Sequence, residues 1–208
     1  RNVDDALYRA KNGGRDKILA VGEVTTTRRI SIKRPGYLRT QVYVVVGAAP
    51  RVGSTSFCLA LAGYLAPRYP VEIIDAGGGA INWVKKGKIK VRKAPPWSIT
   101  PGVITLVDAG HYIVDEIQPF ADMVFLVTDL SRSAVQFRPY IEKAKNICLV
   151  GNRGASLKGL HELGELWGIP VLGTLTEEPI IKTAEINGEI VTPKRWRKPL
   201  EKARRVIT

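Results

Sequence analysis

From Gln41 onward, short apolar runs alternate with segments of helical period. The runs Val42–Val46, Val71–Ile74, Val103–Val107, Met123–Val127, Ile147–Val150 and Val171–Leu172 are apolar almost throughout, the pattern of strands buried on both faces. Between them, the spacing predicts helices over Thr55–Leu65, Tyr112–Gln118, Ala134–Lys145, Ser156–Leu166 and Ile180–Asn187. Parallel neighbours need crossover connections, so the expected class is α/β, a mostly parallel sheet flanked by helices in three layers. Residues 76–102 break the rhythm. They hold a glycine triplet, Pro95-Pro96 and Trp97 with no clear helix, and read as an elaborated connection with a short strand at Ile89–Val91.

Both flanks differ from this middle. Val3, Ala6, Leu7 and Ala10 fall at helical spacing, Asp4 and Asp5 lie in the first turn, and Gly13-Gly14 supplies a stop before a strand at Lys17–Val21. The Ala-Leu-Tyr-Arg-Ala-Lys run and the following Gly-Arg pair resemble the closing segment of GGDEF diguanylate cyclase domains. The likeness covers about the first twenty residues and excludes the loop that names that family. It implies that 1–22 is the end of a cyclase-like domain whose remainder lies upstream. Arg1 opens the chain and Met123 is its sole methionine, which also fits a segment of a longer protein. The Thr- and Arg-rich stretch 23–40, punctuated by Pro35-Gly36, reads as a linker, leaving a domain over 41–193 and a tail over 194–208.

Charge sharpens this division. The chain carries 32 Lys+Arg against 19 Asp+Glu, a formal charge of +13. Residues 1–40 hold ten basic and four acidic groups, 41–193 fifteen and fourteen, and 194–208 seven and one. The excess therefore belongs to the flanks, apart from the cluster Lys85, Lys86, Lys88, Lys90, Arg92 and Lys93. No apolar run approaches the roughly 18–20 residues that span a bilayer. Cys58 and Cys148 sit in apolar surroundings, as core thiols of a reducing compartment do. The expected location is cytoplasmic, with peripheral membrane association left open.

Candidate chemistry concentrates in VYVVVGAAPRVGSTSFCLALAGYLA, Val42–Ala66. An apolar strand runs into a small-residue loop and then a helix opened by Ser and Thr, which aims backbone N–H groups at an anion. This stretch resembles the deviant P-loop of the MinD/ParA group of ATPases, which reads Lys-Gly-Gly-x-Gly-Lys-Thr. Gly47, Pro50, Arg51, Val52, Gly53, Ser54, Thr55 and Ser56 are the matching loop residues. Ala49 and Ser54 stand where the two lysines would be, so the charge stabilisation of phosphoryl transfer is missing unless Arg51 substitutes. Further matches follow in order. Asp75 ends the second strand where that family has a water-positioning carboxylate, and Asp108 ends the third where it holds magnesium together with the Thr55 hydroxyl. Asn152 and Arg153 match a strand-end Asn-Arg pair whose Asn meets adenine, and Gly168–Val191 matches the closing strand, loop and helix. Taken alone, either aspartate reads equally as a strand terminator or helix cap. His111, three positions after Asp108, reads as a solvated loop residue or one that lines the site, His161 reads as a surface residue, and Asp115, Glu116 and Asp122 form no ligand spacing.

The resemblance spans Val42 to Val191 and implies a P-loop NTPase-like fold with ATP and magnesium as the cofactors of an intact site. Three functions stay open. One is a degenerate domain with weak or no hydrolysis, serving as a regulatory, localisation or interaction module of a GGDEF-type signalling protein. Another is an active ATP-dependent dimer switch of the positioning type that uses Arg51. The third is a nonspecific binder of DNA or anionic membrane through the basic segments. A homodimer or partner protein is expected in the first two. On a helix after Pro199, Leu200, Ala203, Val206 and Ile207 fall on one side and Lys202, Arg204 and Arg205 elsewhere, so the tail is either a membrane-surface helix or a helix packed on the domain.

Overall fold

The computed structural model describes residues 41–85, 87–95, 97–111, 118–131, 137 and 146–207. The segment 1–22 expected to be cyclase-like, the expected linker 23–40, Asp115, Glu116 and nearly all of the helices expected over Tyr112–Gln118 and Ala134–Lys145 lie outside these residues. The chain divides between Tyr37 and Leu38, and every described residue belongs to the second unit.

Seven strands form one sheet in the order β3-β2-β4-β1-β5-β6-β7, with every pairing parallel. They are β1 (Gln41–Gly47), β2 (Val71–Asp75), β3 (Lys90–Lys93), β4 (Ile104–Asp108), β5 (Met123–Thr128), β6 (Ile147–Gly151) and β7 (Val171–Thr174). The described helices are α1 (Ser54–Leu65), the single turn α2 (Ala80–Trp83), α3 (Leu157–Trp167), α4 (Pro179–Asn187) and α5 (Arg197–Ile207). Helix α2 lies in the irregular connection and has no helical period to announce it. The strand expected at Ile89–Val91 forms one residue later, as β3.

Alternation within β1 shows why its run is apolar throughout. Tyr43 and Val45 pack into a cluster with α1 and α5, while Val42, Val44 and Val46 pack into the opposite layer with Leu126, Leu149 and Leu160. Eight of the twelve residues of α1 are buried, because α5 covers the side turned away from the sheet. Local signals set the other helix ends. Ser156 Oγ accepts from Gly159 N at 3.0 Å to cap α3, and Pro179 opens α4.

Two joints fix the periphery. Buried Glu72 accepts from Arg92 Nη2 at 3.2 Å, Thr105 Oγ1 at 3.0 Å and Thr100 Oγ1 at 3.0 Å, tying the irregular connection to the sheet edge. Burial pushes the Glu72 carboxyl up, but the bonds from Thr100, Thr105 and Arg92 outweigh it and hold it below the usual range. At the other joint, α5 buries Leu200, Ala203 and Ile207, and the Ile207 carbonyl accepts from Tyr43 Oη at 3.0 Å and Gln41 Nε2 at 2.9 Å. The tail is therefore a packed helix, starting at Arg197 with Pro199 inside its first turn, where a missing N–H costs no ladder bond. Val206 departs from the expected apolar side and is exposed.

Candidate functional site

Strand order reverses around β1, whose neighbours are β4 and β5, so the carboxyl ends of these strands open a crevice of the kind in which α/β sheets place ligands. Register puts Val45 beside Asp108 and Phe125, and Gly47 beside Val127. The loop Ala48–Gly53 leaves from this point. Gly47 N donates to Gly110 O at 2.6 Å and Ala48 N to Val127 O at 2.8 Å, seating the loop on both neighbouring strand ends.

Gly53 precedes α1 with φ +95°, and a Cβ there would lie 2.2 Å from Asn152 Nδ2, so only glycine fits. The first intrahelical bond runs from Phe57 N to Gly53 O. The N–H groups of Ser54, Thr55 and Ser56 thus have no partner in the helical ladder, and no side chain caps them. They belong to the lining of an open cavity of about 630 Å³, together with Arg51, His111, Arg153 and Trp83. The loop retains an anion cradle.

The side chains expected to do chemistry are engaged elsewhere. Ser54 is buried and donates its hydroxyl to Gly110 O at 3.0 Å. Thr55 Oγ1 lies 2.7 Å from Gly78 O and 3.2 Å from Asp108 Oδ1. Asp75 Oδ1 accepts from Gly77 N at 2.9 Å and Gly79 N at 3.1 Å, and its Oδ2 accepts from Ile81 N at 2.9 Å. It caps the glycine triplet and the turn α2. Asp108 Oδ2 accepts from Ala80 N at 3.2 Å, and its Oδ1 from Gly110 N at 3.4 Å. Asn152 Nδ2 donates to Val52 O at 2.8 Å, bracing the loop from β6.

Gly78 holds this arrangement together. A Cβ at that position would lie 1.9–2.1 Å from the Asp108 carboxylate atoms, so the triplet passes directly over the carboxyl. Burial pushes Asp108 up to about 6, the bonds from Thr55, Gly110 and Ala80 oppose that rise, and the charge of Asp75 adds to it. The Thr55 hydroxyl has one hydrogen to share between two acceptors, Gly78 O and Asp108 Oδ1. Behind the site, burial and then the charges of Asp108 and Asp75 push the Cys58 thiol well up, so it is no nucleophile.

Arg51 (φ +61°) and Arg153 (φ +49°) both adopt left-handed backbone at the cavity mouth. The bond from Asn152 to Val52 joins the residues beside them. Among the described residues, no group of three or more His, Cys, Asp or Glu is arranged to hold a metal ion. The cradle fits a phosphate. The pair expected to hold magnesium, Thr55 and Asp108, does not fit a hydrated ion while Gly78 lies across it. Sequence reading placed the loop, both aspartates and Asn152-Arg153 at one site, and the structure brings them together there. It missed the glycine triplet as a participant, although three glycines directly after Asp75-Ala76 were the visible signal.

No family model matches the chain, and no curated protein sequence matches it. Solved structures do. MinD cell division protein from Aquifex aeolicus aligns at TM-score 0.61 and 19% identity, covering 80% of this chain and 96% of its own. A ParA family ATPase from Chlorobium tepidum aligns at 0.57 and 14%, covering 79% and 99%. An ATP complex of Cyanothece McdA aligns at 0.57 and 11%, covering 80% and 96%. The fold is that of the MinD/ParA group of P-loop ATPases, a parallel sheet flanked by helices.

Proposed function

We propose that this chain is a regulatory, localisation or interaction module built on a MinD/ParA-like nucleotide-binding fold, with weak or no ATP hydrolysis, in a GGDEF-type signalling protein. One observation carries the reading. Four polar side chains of the site are hydrogen-bonded to the protein's own backbone: Ser54 to Gly110, Thr55 to Gly78, Asp75 to Gly77, Gly79 and Ile81, and Asp108 to Ala80 and Gly110. Electrostatic stabilisation of a transferring phosphoryl group needs such groups aimed at the ligand. Here they stabilise the loop instead, and the module works through its surface, as a homodimer or on a partner protein. One solved match is a MinC:MinD complex from Aquifex aeolicus, which supports the partner reading by analogy of fold.

An active dimer switch is the second reading, favoured by the exposed Arg51 at the mouth of an intact anion cradle. Calorimetric titration with ATP and magnesium, paired with a phosphate-release assay, separates the two. The expected result is weak binding or none, and no turnover above background. Turnover that disappears in Asp75→Ala and Arg51→Ala would establish the switch and sink the proposal. The membrane version of the third reading loses its anchor, since Leu200, Ala203 and Ile207 are packed inside the domain. Among the described residues no helix is long and apolar enough to cross a membrane.

A further inference from the structure

Away from the loop site, a second open cavity of about 650 Å³ lies between the end of α1 and the start of α5. Its cations come from separate segments: Arg68 just beyond α1, Lys194 and Arg195 from the 3₁₀ turn Lys194–Trp196, and Arg197, Lys198 and Arg204 from α5. Glu201 is the single acidic side chain lining it. That carboxylate is already bound by Arg204 at 2.6 Å, by Arg205 at 3.4 Å and by the Tyr64 hydroxyl. Arg195 reaches Glu178 at 3.6 Å. Arg68, Lys194, Arg197 and Lys198 have no acidic group within ion-pair distance among the described residues.

The position of these charges is the second observation. Lys194, Arg195, Arg197 and Lys198 gather at the amino end of α5, whose first turn contains no acid. That end carries the positive pole of the helix dipole, where acidic residues are stabilising and basic ones are not. The sequence thus places four cations against both each other and the dipole, a local conflict of the kind proteins retain at functional sites. An anion resolves both conflicts at once.

We propose that this cleft binds a compact polyanion carrying two or more phosphates, either free polyphosphate or the phosphate chain of a nucleotide. The shape decides for a small ligand over a polymer. The cations converge on one concavity from three segments, whereas 41–193 as a whole, with fifteen basic and fourteen acidic residues, carries almost no net charge to draw a nucleic-acid backbone along it. A flat bilayer meets only the rim of a concave site. Arginine forks suit phosphate oxygens through paired N–H bonds. The inference is independent of the loop site.

The test titrates the 208-residue chain with inorganic tripolyphosphate, orthophosphate and ATP without magnesium, and repeats it with Arg197→Glu/Lys198→Glu. Both positions are exposed, and acids there suit the dipole, so the variant should melt at or above the parent temperature. Its affinity for tripolyphosphate should fall about tenfold or more, and orthophosphate should bind the parent about tenfold more weakly than tripolyphosphate. Equal affinity for ATP and tripolyphosphate identifies the phosphate chain as the whole determinant, whereas tighter ATP binding that the variant loses identifies a nucleotide. The proposal fails if tripolyphosphate binding survives the double substitution. It also fails if short duplex DNA, phosphatidylglycerol vesicles or poly-glutamate bind through these two residues and tripolyphosphate does not displace them.

Discussion

Replacing Gly78 with alanine tests whether the triplet closes over Asp108. The added Cβ would lie 1.9 Å from Asp108 Oδ1, whereas ordinary contact begins near 3.4 Å, so the loop or the carboxyl must move by the difference, 1.5 Å. The obstacle is the buried Asp108 carboxyl, which bonds from Thr55, Ala80 and Gly110 hold in place. A shift of that size breaks the bond from Thr55 Oγ1 to Gly78 O, at 2.7 Å, and strains those from Gly78 N to Asp108 O and from Ala80 N to Asp108 Oδ2. At about 1 kcal/mol for each bond the loss is ~3 kcal/mol. Gly79 is the control, because its φ of +96° strains alanine but nothing lies within 4 Å of an added Cβ. Gly79→Ala should cost only the backbone term, ~1 kcal/mol. A conformational argument alone ranks Gly79 as the more sensitive position, and packing reverses that order. With a urea slope of about 2 kcal/mol per molar, the midpoint should fall by ~1.5 M for Gly78→Ala and ~0.5 M for Gly79→Ala. A smaller loss at Gly78 than at Gly79 refutes the closed arrangement, and Gly78→Ala in an Asp108→Ala background should recover most of the loss by removing the obstacle.

Two further outcomes follow from the same geometry. Asp108 titrates near 6 when folded against 3.8 ordinarily, so the folded state holds the proton more tightly and its stability falls as pH rises from about 4 to about 6. Asp108→Asn lacks that loss, and its stability relative to the parent should therefore climb by ~3 kcal/mol across this window and stay level above it, read from unfolding midpoints at pH 4, 5, 6 and 7.5. A flat difference would show that Asp108 ionises freely. Leu200→Ala removes a fully buried side chain at the α1–α5 contact and should cost about 3 kcal/mol in chemical unfolding, which a solvated tail would not.

The strands were legible because a strand buried on both faces has little polar choice, and six apolar runs in a parallel order admit few arrangements. The phosphate-type loop was legible for a similar reason. Gly53 must accept both φ +95° and the approach of Asn152, so the residue type follows from the geometry. Helix α2 and the triplet were not legible as a lid. One helical turn has no period to read, and what holds it is Asp75 and Asp108 reaching forward from two different strands.

Sequence by itself determined the class of fold and the placing of the glycine-containing loop, Asp75 and Asp108 at the ends of β1, β2 and β4. These depend on residue type and on spacing along the chain, which are local quantities. Tertiary structure alone decided which partners these residues meet. Whether Thr55 and Asp108 face a ligand or bond to Gly78, and whether the cations at the start of α5 spread into solvent or converge with Arg68 on a cleft, depends on contacts between segments up to 136 positions apart (Arg68 and Arg204). Hydrogen bonds and charges act over a few ångströms in space, and chain spacing carries no record of which distant groups will meet there.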